Sequence, residues 1–584
     1  MDRLLLGRLA AVKIVCLVKQ VPEPTAIEFD EETNTLKREG VPLVLNPFDR
    51  HAVGEAVRLR DAGGGEVIAM TMGPPQAEEA LRETLAIGAD RAVHLSDKAF
   101  AVADTLGTSR TLALALEKEA PDLVVCGRKT VDSETWQVPP EVGAFLGIPH
   151  LTSVARLELL DGGLRAIRET DVGEQVFELS GPALVSLARA DLEARVLAEE
   201  GTVDVWTARD LVDDLQPDDK RFGQTGSPTR VLAVRDVTPE RAGLRVDGAE
   251  EAATEIQRLL GERPAPATSW EKPDDIAEQP AARYDWWTLV ELWNGRPTRH
   301  SLELLGRGRE LAGKLGGRNV ALVMGHTVQD AVKEAARYGA EVVYDVDDAQ
   351  LGRYEPELWA AALRQVVERY RPHVLLIPAS AFGRDLGPRV AGELELGMTG
   401  DCVAVDIAKA GRLLQTKPAY GGNIVSVIMG STTPQLATVR ARMYEPLEPR
   451  DDVAPEVHHV RLEGLPEARL RLIDEHPSSR TGLEVDAADV VVLAGAGVEE
   501  ADVLDLDAVV GTTRDGPARI GLYGRPVAPR LLFAVGVDGK PEDLSGFVKA
   551  AVVVSLGSEA DWADVSVAGD WRELLPQLLE NPRA

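Results

Sequence analysis

Two widely separated stretches of the chain carry nearly the same pattern. Each has an apolar run ending in Met-Gly, a helical run, a Gly-Ala-acid step and a second apolar run that follows a proline; they span residues 66–126 and 319–377. Self-similarity of this kind constrains the architecture before any local motif does. The spacing is too long for a solenoid, so it predicts two copies of one α/β domain with a parallel sheet and crossover helices. Interfaces between such domains are common ligand sites.

The fold class that we predict is α/β, with two pseudo-symmetric parallel-sheet domains of the nucleotide-binding type and a smaller C-terminal α/β domain. The first domain is predicted over residues 1–261 and the second over 285–484. A linker rich in proline and charge separates them over 262–284. Residues 485–584 contain three apolar strand-like runs and form the last domain.

Local signals refine the first domain. Val12–Val18 is predicted as a strand, and a helix is expected to begin at Pro47 with Asn46 as its N-cap. Residues 156–235 are more β-like. A helix over Ala249–Leu260 is predicted to end the domain.

Composition excludes several classes of protein. A net charge of −31 disfavours a nucleic-acid or anionic-membrane surface. No run of 18 apolar residues is present, and the first residues do not resemble a signal peptide, so we expect a cytoplasmic protein with no transmembrane segment. The three cysteines form no Cys-x-x-Cys pair, which disfavours disulfides, iron–sulfur clusters and structural zinc. Cys16 and Cys126 are expected to be buried core thiols.

Two loops stand where a parallel sheet can bind phosphate, after a buried strand and before a helix. They are residues 127–140 and 378–389. A plain loop is an equally good interpretation of the first. The alternative interpretation of the second is that Arg384 and Asp385 form only an exposed ion pair of little energetic value. No motif of a hydrolase or of a metal site accompanies these loops.

At this point the motifs resemble a known family, the electron transfer flavoproteins. The first half resembles the β subunit through the residues 16–22, 46–53, 71–74, 88–92 and the loop around Asp132. The second half resembles the α subunit through the residues 301–306, 383–389, 400–402, 417–423 and 434–440. Subunits that are usually separate chains would then be joined β to α, which keeps them together without a dimerisation equilibrium.

The resemblance implies an electron carrier that receives electrons from a flavin dehydrogenase and passes them to a respiratory-chain acceptor, of the membrane-associated quinone reductase type or an iron–sulfur protein. It implies an FAD-type last domain, and allows an AMP in the β-like half. Carried over by motif, the AMP-like loop would use Asn46, Gly127, Asp132, Thr135 and Gln137. The FAD would be held by Arg514, Gly521, Tyr523, Gly524, Arg525, Gly536, Ser555 and Asp570, with Arg514 over the flavin.

The last domain departs from the family pattern. Leu522 and Tyr523 replace a glutamine and a threonine, Asp543 replaces a histidine, and Ser555 replaces an asparagine. A carboxylate near the pyrophosphate and the reduced flavin would repel both. In the AMP-like loop, Pro139 has no N–H for a phosphate, and Trp136 would either stack on an adenine or fill the space that AMP leaves.

Two other interpretations therefore stay open. One is a flavin-poor or flavin-free structural subunit of a larger redox complex. The other, less favoured, is an NADH-dependent electron-bifurcating form with a second FAD. The segment 188–200 also differs from the family's partner-recognition loop, which implies a dedicated partner. Such a partner would allow peripheral membrane association.

Overall fold

The computed structural model describes most of the chain. The described residues are 12–23, 28–30, 35–37, 41–160, 163–190, 201–237, 239–264, 284–478, 481–499, 501–504, 508–514 and 518–580. Most of the predicted linker and residues 191–200 of the predicted partner-recognition segment lie outside this range.

The first part of the chain alternates strands and helices before an antiparallel meander. Its elements are β1 (Val12–Leu17), β2 (Gln20–Pro22), β3 (Glu28–Asp30), β4 (Thr35–Lys37), β5 (Leu43–Leu45), α1 (Pro47–Gly63), β6 (Gly65–Met72), α2 (Glu78–Ile87), β7 (Arg91–Leu95), α3 (Thr105–Glu119), β8 (Leu123–Gly127), α4 (Val138–Phe145), β9 (His150–Leu160), β10 (Gly163–Thr170), β11 (Gly173–Leu179), β12 (Ala183–Leu187), β13 (Val203–Trp206), α5 (Ala208–Leu211), β14 (Thr229–Asp236), β15 (Leu244–Asp247) and α6 (Ala249–Glu262).

The second part repeats the alternation. Its elements are β16 (Trp286–Val290), β17 (Leu292–Trp293), β18 (Arg296–Pro297), α7 (Arg299–Lys314), β19 (Asn319–Gly325), α8 (Gln329–Arg337), β20 (Val342–Asp347), α9 (Pro356–Tyr370), β21 (Val374–Pro378), α10 (Ala381–Glu393), β22 (Met398–Cys402), β23 (Ala404–Ile407), β24 (Leu413–Ala419), β25 (Ile424–Gly430), β26 (Gln435–Val439), β27 (Glu456–His459) and β28 (Leu470–Pro477).

The last part is shorter. Its elements are α11 (Gly482–Ala487), β29 (Val490–Ala494), α12 (Ala501–Leu504), β30 (Val509–Thr512), β31 (Leu531–Val535), α13 (Pro541–Leu544), β32 (Val552–Leu556), β33 (Val565–Ala568) and α14 (Trp571–Leu579).

The sheet topology confirms the predicted repeat and the α/β class. The first large sheet begins β13-β7-β6-β1-β8-β12-β9, and the second has the order β27-β20-β19-β16-β21-β26-β22. All neighbours within both orders are parallel. Taken in chain order, the seven strands of one half occupy the same positions as the seven strands of the other.

The parallel strands are buried because helices cover both faces. In β1, Ile14 and Cys16 face the layer that contains α1 and α2, whereas Val15 and Leu17 face the layer that contains α3 and α4. Such strands read as continuous apolar runs rather than as alternating ones. All three cysteines are buried and free, as predicted for Cys16 and Cys126.

The three parts of the chain exchange elements. Strand β28 pairs with β11 and so extends the first sheet to ten strands, while β14 pairs with β25 of the second part. Strand β15 and helix α6 belong to the last part, because β15 pairs with β33 in a parallel six-stranded sheet of order β15-β33-β32-β31-β29-β30. The side chains of α6 pack in the core of that sheet. Elements β15 and α6, which precede the predicted boundary at residue 261, therefore pack with the last part of the chain.

Candidate functional site

An open cleft lies where the three parts of the chain meet. Its cavity volume is about 70 Å³. The first part contributes β10 and the loop after β8, the second part the start of α10, and the last part the loop between β30 and β31. Its lining residues include Arg128, Trp136, Asp171, Arg384, Tyr523 and Arg525.

Arginines flank an aromatic ring in this cleft. The guanidinium carbons of Arg128 and Arg384 lie 4.9 and 4.7 Å from the centre of the Trp136 ring. The Trp136 Nε1 and the Arg128 Nε are buried and have no hydrogen-bond partner within the described part of the chain. Burial lowers the pKa of Arg128 to about 10. Unpaired buried donors are unfavourable, so the cleft is suited to a polar, anionic, aromatic ligand.

The loop of the last domain that lines the cleft also bonds and packs against other parts of the chain. The Arg525 guanidinium donates to Asp171 at 2.9 Å and to Asp486, and these two carboxylates raise its pKa although burial opposes them. Tyr523 packs edge-on against Phe48, with ring centres 5.9 Å apart. Part of the predicted FAD motif thus packs onto the β-like half.

A second candidate region is the carboxyl edge of the six-stranded sheet. A glycine follows four of its strands directly: Gly495 after β29, Gly536 after β31, Gly557 after β32 and Gly569 after β33. Gly557 has a φ of +87°, and a Cβ there would meet no atom closer than 3.5 Å. Open glycine turns at the carboxyl ends of parallel strands are where such sheets bind dinucleotides.

Four of the predicted FAD residues lie at this edge. Arg514 follows β30 and donates to the Val498 carbonyl, Gly536 follows β31, and Ser555 lies near the end of β32, where its hydroxyl bonds Ser558. Asp570 follows β33 and caps α14 by accepting from the Arg572 N–H at 3.0 Å.

The other four predicted residues, Gly521, Tyr523, Gly524 and Arg525, lie in the loop between β30 and β31, and the last three line the cleft. The structure therefore separates the predicted set into an edge group and a cleft group. The edge group fits an FAD at one turn, because Ser555 lies beside the open turn at Gly557.

The residues of the predicted AMP-like loop lie close together, but their polar groups form hydrogen bonds with other residues of the protein. Asn46 is the predicted N-cap of α1. It precedes the helix directly, but its side chain makes no capping hydrogen bond. Its Nδ2 donates to the Lys129 carbonyl at 3.0 Å and its Oδ1 accepts from the Val131 N–H at 3.2 Å. The Gly127 N–H donates to Asp49 at 2.9 Å. Asn46 is therefore a clamp on the loop rather than a helix cap, because both of its amide atoms are already engaged there.

The rest of the loop bonds within the β-like half at Asp132 and across to the α-like half at Thr135 and Gln137. Asp132 accepts from the Lys19 ammonium at 2.6 Å. Gln137 donates to the Met398 carbonyl at 3.1 Å and accepts from the Gly400 N–H at 3.2 Å, while the Thr135 carbonyl packs against Gly400. The groups that the resemblance assigns to a phosphate and a nucleoside thus hold protein partners. The residues of this loop do not fit an AMP phosphate.

Sequence inspection missed the ion at the centre of this loop. Glu134 is 3% exposed, and it faces cations from both halves: Lys129, Lys417 and Arg440. Lys417 is the first residue of the motif at 417–423. The partners are 283 to 306 residues apart in the chain, except Lys129, so no local spacing indicates them.

Asp385 is buried and Arg384 is only partly exposed, and each bonds other residues, which differs from an exposed ion pair between them. Arg384 pairs with Asp401 at 2.9 Å. Asp385 is 0% exposed. It accepts from Thr152 at 2.7 Å and contacts His150 at 3.1 Å, both in the β-like half. An isolated sequence motif gives no sign of the Asp385 contacts, because Thr152 and His150 come from the other half.

Comparison with known proteins follows the same division. The profile of the electron transfer flavoprotein domain matches residues 33–211 and 286–463, which together are more than half of the chain. The chain belongs to the electron transfer flavoprotein family. Its homologues have an electron-transfer role, and family members generally bind flavin.

The two halves match different subunits. The electron transfer flavoprotein subunit beta of Thermoanaerobacterium thermosaccharolyticum is 38% identical over 43% of this chain and 99% of its own length. The subunit alpha of the same organism is 31% identical over 51% of this chain and 97% of its own length. Protein FixA of Azorhizobium caulinodans is 41% identical over 38% of this chain and 83% of its own length. This electron transfer flavoprotein therefore joins a β-like and an α-like half in one polypeptide.

Among the described helices, none combines the length and the apolarity that a bilayer crossing requires. The same part of the chain contains no cluster of three side chains suited to hold a metal ion.

Proposed function

We propose that this electron transfer flavoprotein carries electrons on one FAD, from a flavin dehydrogenase to a respiratory-chain acceptor of the quinone reductase type or to an iron–sulfur protein. The observation that supports FAD most directly is the row of glycine turns at the carboxyl edge of the last sheet. In our proposal the protein is cytoplasmic, and it reaches a membrane only through a partner.

The edge residues would hold the cofactor. Gly557 leaves room for a close backbone approach. Ser555 places a hydroxyl in the same turn, and Arg514 adds positive charge. The FAD would supply the redox chemistry, and the protein tunes its potential through nearby charges and hydrogen bonds. In the cleft, Trp136 Nε1 and Arg128 Nε are donors that favour added negative charge.

A second candidate function is a flavin-free subunit of a larger redox complex. The packing of the cleft loop favours it. Leu522 lies in an apolar cluster with Val21, Phe48 and Val131, and its N–H donates to the Glu542 carbonyl at 2.6 Å. Arg525 is occupied by two carboxylates. These contacts use groups that the family pattern places near the cofactor.

The absorbance spectrum of the purified protein separates the two. We expect a flavin spectrum, with close to one FAD per chain released on denaturation and identified by chromatography. Arg514→Ala should then lower FAD retention. Arg258→Ala is the control, because Arg258 lies in α6 of the same domain and bonds only the surface acids Glu255 and Glu262 in the described contacts. A colourless protein that takes up no added FAD would support the flavin-free subunit instead.

The partner is a separate question. Ala188 and Arg189 line the cleft at the start of the divergent segment. We propose that a dedicated dehydrogenase docks there rather than a general acyl-CoA dehydrogenase. Reduction of the protein by a purified general acyl-CoA dehydrogenase should be slow and should not saturate. A tight complex with that enzyme would contradict the proposal.

A further inference from the structure

One carboxylate occupies a cationic cradle in the loop after β8. Glu134 Oε2 lies 3.1 Å from the Lys129 Nζ and 3.5 Å from an Arg440 nitrogen. Its Oε1 accepts from the Gly421 N–H at 2.9 Å, and its backbone carbonyl accepts from the Lys417 Nζ at 3.1 Å. Three cationic side chains and one backbone N–H thus converge on a single acidic residue.

The cradle is built by both halves. Lys129 belongs to the β-like half, whereas Lys417 lies in β24 and Arg440 directly follows β26 of the α-like half. The other carboxylate nearby, Asp401, is shared between Arg384 and Arg440. Without the Glu134 carboxylate, Lys129 would therefore lose its paired anion, whereas Lys417 would keep the influence of Asp401. The cradle would then present the Lys129 ammonium, the Arg440 guanidinium and the Gly421 N–H to an empty space. Buried charges of one sign are strongly unfavourable without a partner.

The loop backbone is shaped to bring this side chain inward. Glu134 has a φ of +46° and Trp136 has a φ of +62°. Residues with side chains are uncommon in this region of backbone conformation, so the ion pairs must offset that cost. Burial by itself would raise the pKa of Glu134, but Lys129, Arg440 and Lys417 bring it below its ordinary value. Burial lowers the pKa of Lys129 to about 8, against the influence of Glu134.

We infer that Glu134 is an internal anion that fills a phosphate-type site between the two halves. The chain then joins its halves without a bound phosphomonoester, and removal of the Glu134 carboxylate opens the site to one. Backbone N–H groups with lysine and arginine side chains are the donor set that binds phosphate oxygens. The inference does not depend on whether the last domain holds FAD.

The test compares phosphate binding by Glu134→Ala and by the unmodified protein, with isothermal titration calorimetry. Inorganic phosphate and AMP are titrated separately, so that a bare anion site is distinguished from a nucleotide site. We expect Glu134→Ala to bind inorganic phosphate at least tenfold more tightly than the unmodified protein, and its melting temperature to rise with phosphate. AMP that binds much more tightly than phosphate would show that a nucleoside pocket has opened as well.

Glu141→Ala is the matched control. Glu141 is also a fully buried carboxylate of the same segment, but its hydrogen bonds come from Ser109, Thr105 and Gln137 rather than from cations. Its removal should create no phosphate site. Adding Lys129→Met to Glu134→Ala should abolish the new binding.

Two results would overturn the inference. One is a folded Glu134→Ala protein that binds phosphate no better than the unmodified chain. If this variant does not fold, Glu134→Gly takes its place, because glycine also tolerates the positive φ. The other is the release of about one AMP per chain from the unmodified protein on acid denaturation. This measurement requires no variant. Flavin is measured separately by its visible absorbance, so failure of the FAD proposal cannot be mistaken for either result.

Discussion

The junction between the β-like and α-like halves differs sharply from the carboxyl edge of the last sheet. At the junction, strand-end loops are filled with the protein's own ions, and Glu134 and Asp385 each face partners from the opposite half. At the edge of the last sheet, glycines follow four strands, and the turn at Gly557 is open. Strand-end loops of similar α/β sheets can therefore join two halves of a chain in one place and offer room for a ligand in another.

The largest effect that we expect concerns Asp385 at the junction. Asp385→Ala should lower the free energy of unfolding by about 3–5 kcal/mol, because it leaves Arg168 and its neighbours buried without an anion. Urea unfolding measures this. Asp330→Ala, which removes a 91% exposed carboxylate of a surface pair, should change it by no more than about 0.5 kcal/mol. Equal effects of the two variants would mean that the junction does not depend on its buried ions.

The second prediction concerns a junction carboxylate that has no cation. Burial, ahead of the repulsion from Asp104, raises the pKa of Glu141 from 4.5 to about 8. A raised pKa means that its stabilisation is complete below pH 4.5 and is lost as the pH rises through about 8. The free energy of unfolding of Glu141→Gln should therefore rise relative to that of the unmodified protein by about 4 kcal/mol between pH 5 and pH 9. Thermal unfolding across that range measures it, and parallel curves would show that Glu141 is ionised in the folded protein.

The third prediction tests the open edge. Gly557→Asp places a negative charge at the end of β32 and should weaken FAD binding at least tenfold, or about 1.4 kcal/mol. Equilibrium titration with FAD measures it. Gly181→Asp is the control, because Gly181 also has a positive φ and open surroundings but lies in the β-like half. If both variants keep normal affinity, FAD does not use this edge.

The smallest effect is expected in the cleft, between the two regions. Trp136→Phe keeps an aromatic ring and removes the unpaired Nε1 donor. The loss should weaken FAD binding about fivefold, or about 1 kcal/mol. In Trp359→Phe the lost donor bonds the Arg353 carbonyl within the α-like half, so FAD affinity should not change. An unchanged affinity in Trp136→Phe would place this donor outside the cofactor site.

Sequence inspection predicted the repeated fold because the pattern of apolar strands and helices is local. The paired strand orders and the buried β1 follow that prediction. It could not predict that β15 and α6 pack with the last sheet, since a parallel strand pairs through residues that are distant in the chain. The candidate site also has residues of both kinds. Gly536 and Asp570 are predicted from local motifs, whereas no local motif indicates the role of Glu134.

The sequence by itself determined the α/β class, the two repeats and the family of this fused electron transfer flavoprotein. Those properties depend on patterns within short stretches, which local backbone preferences and burial translate directly into strands and helices. Only the tertiary structure decided which charges meet. Lys417 and Arg440 approach Glu134, and Arg525 approaches Asp171, across separations of hundreds of residues. The reason is that the pairing of buried charges depends on distance in space, which the folded packing of both halves sets.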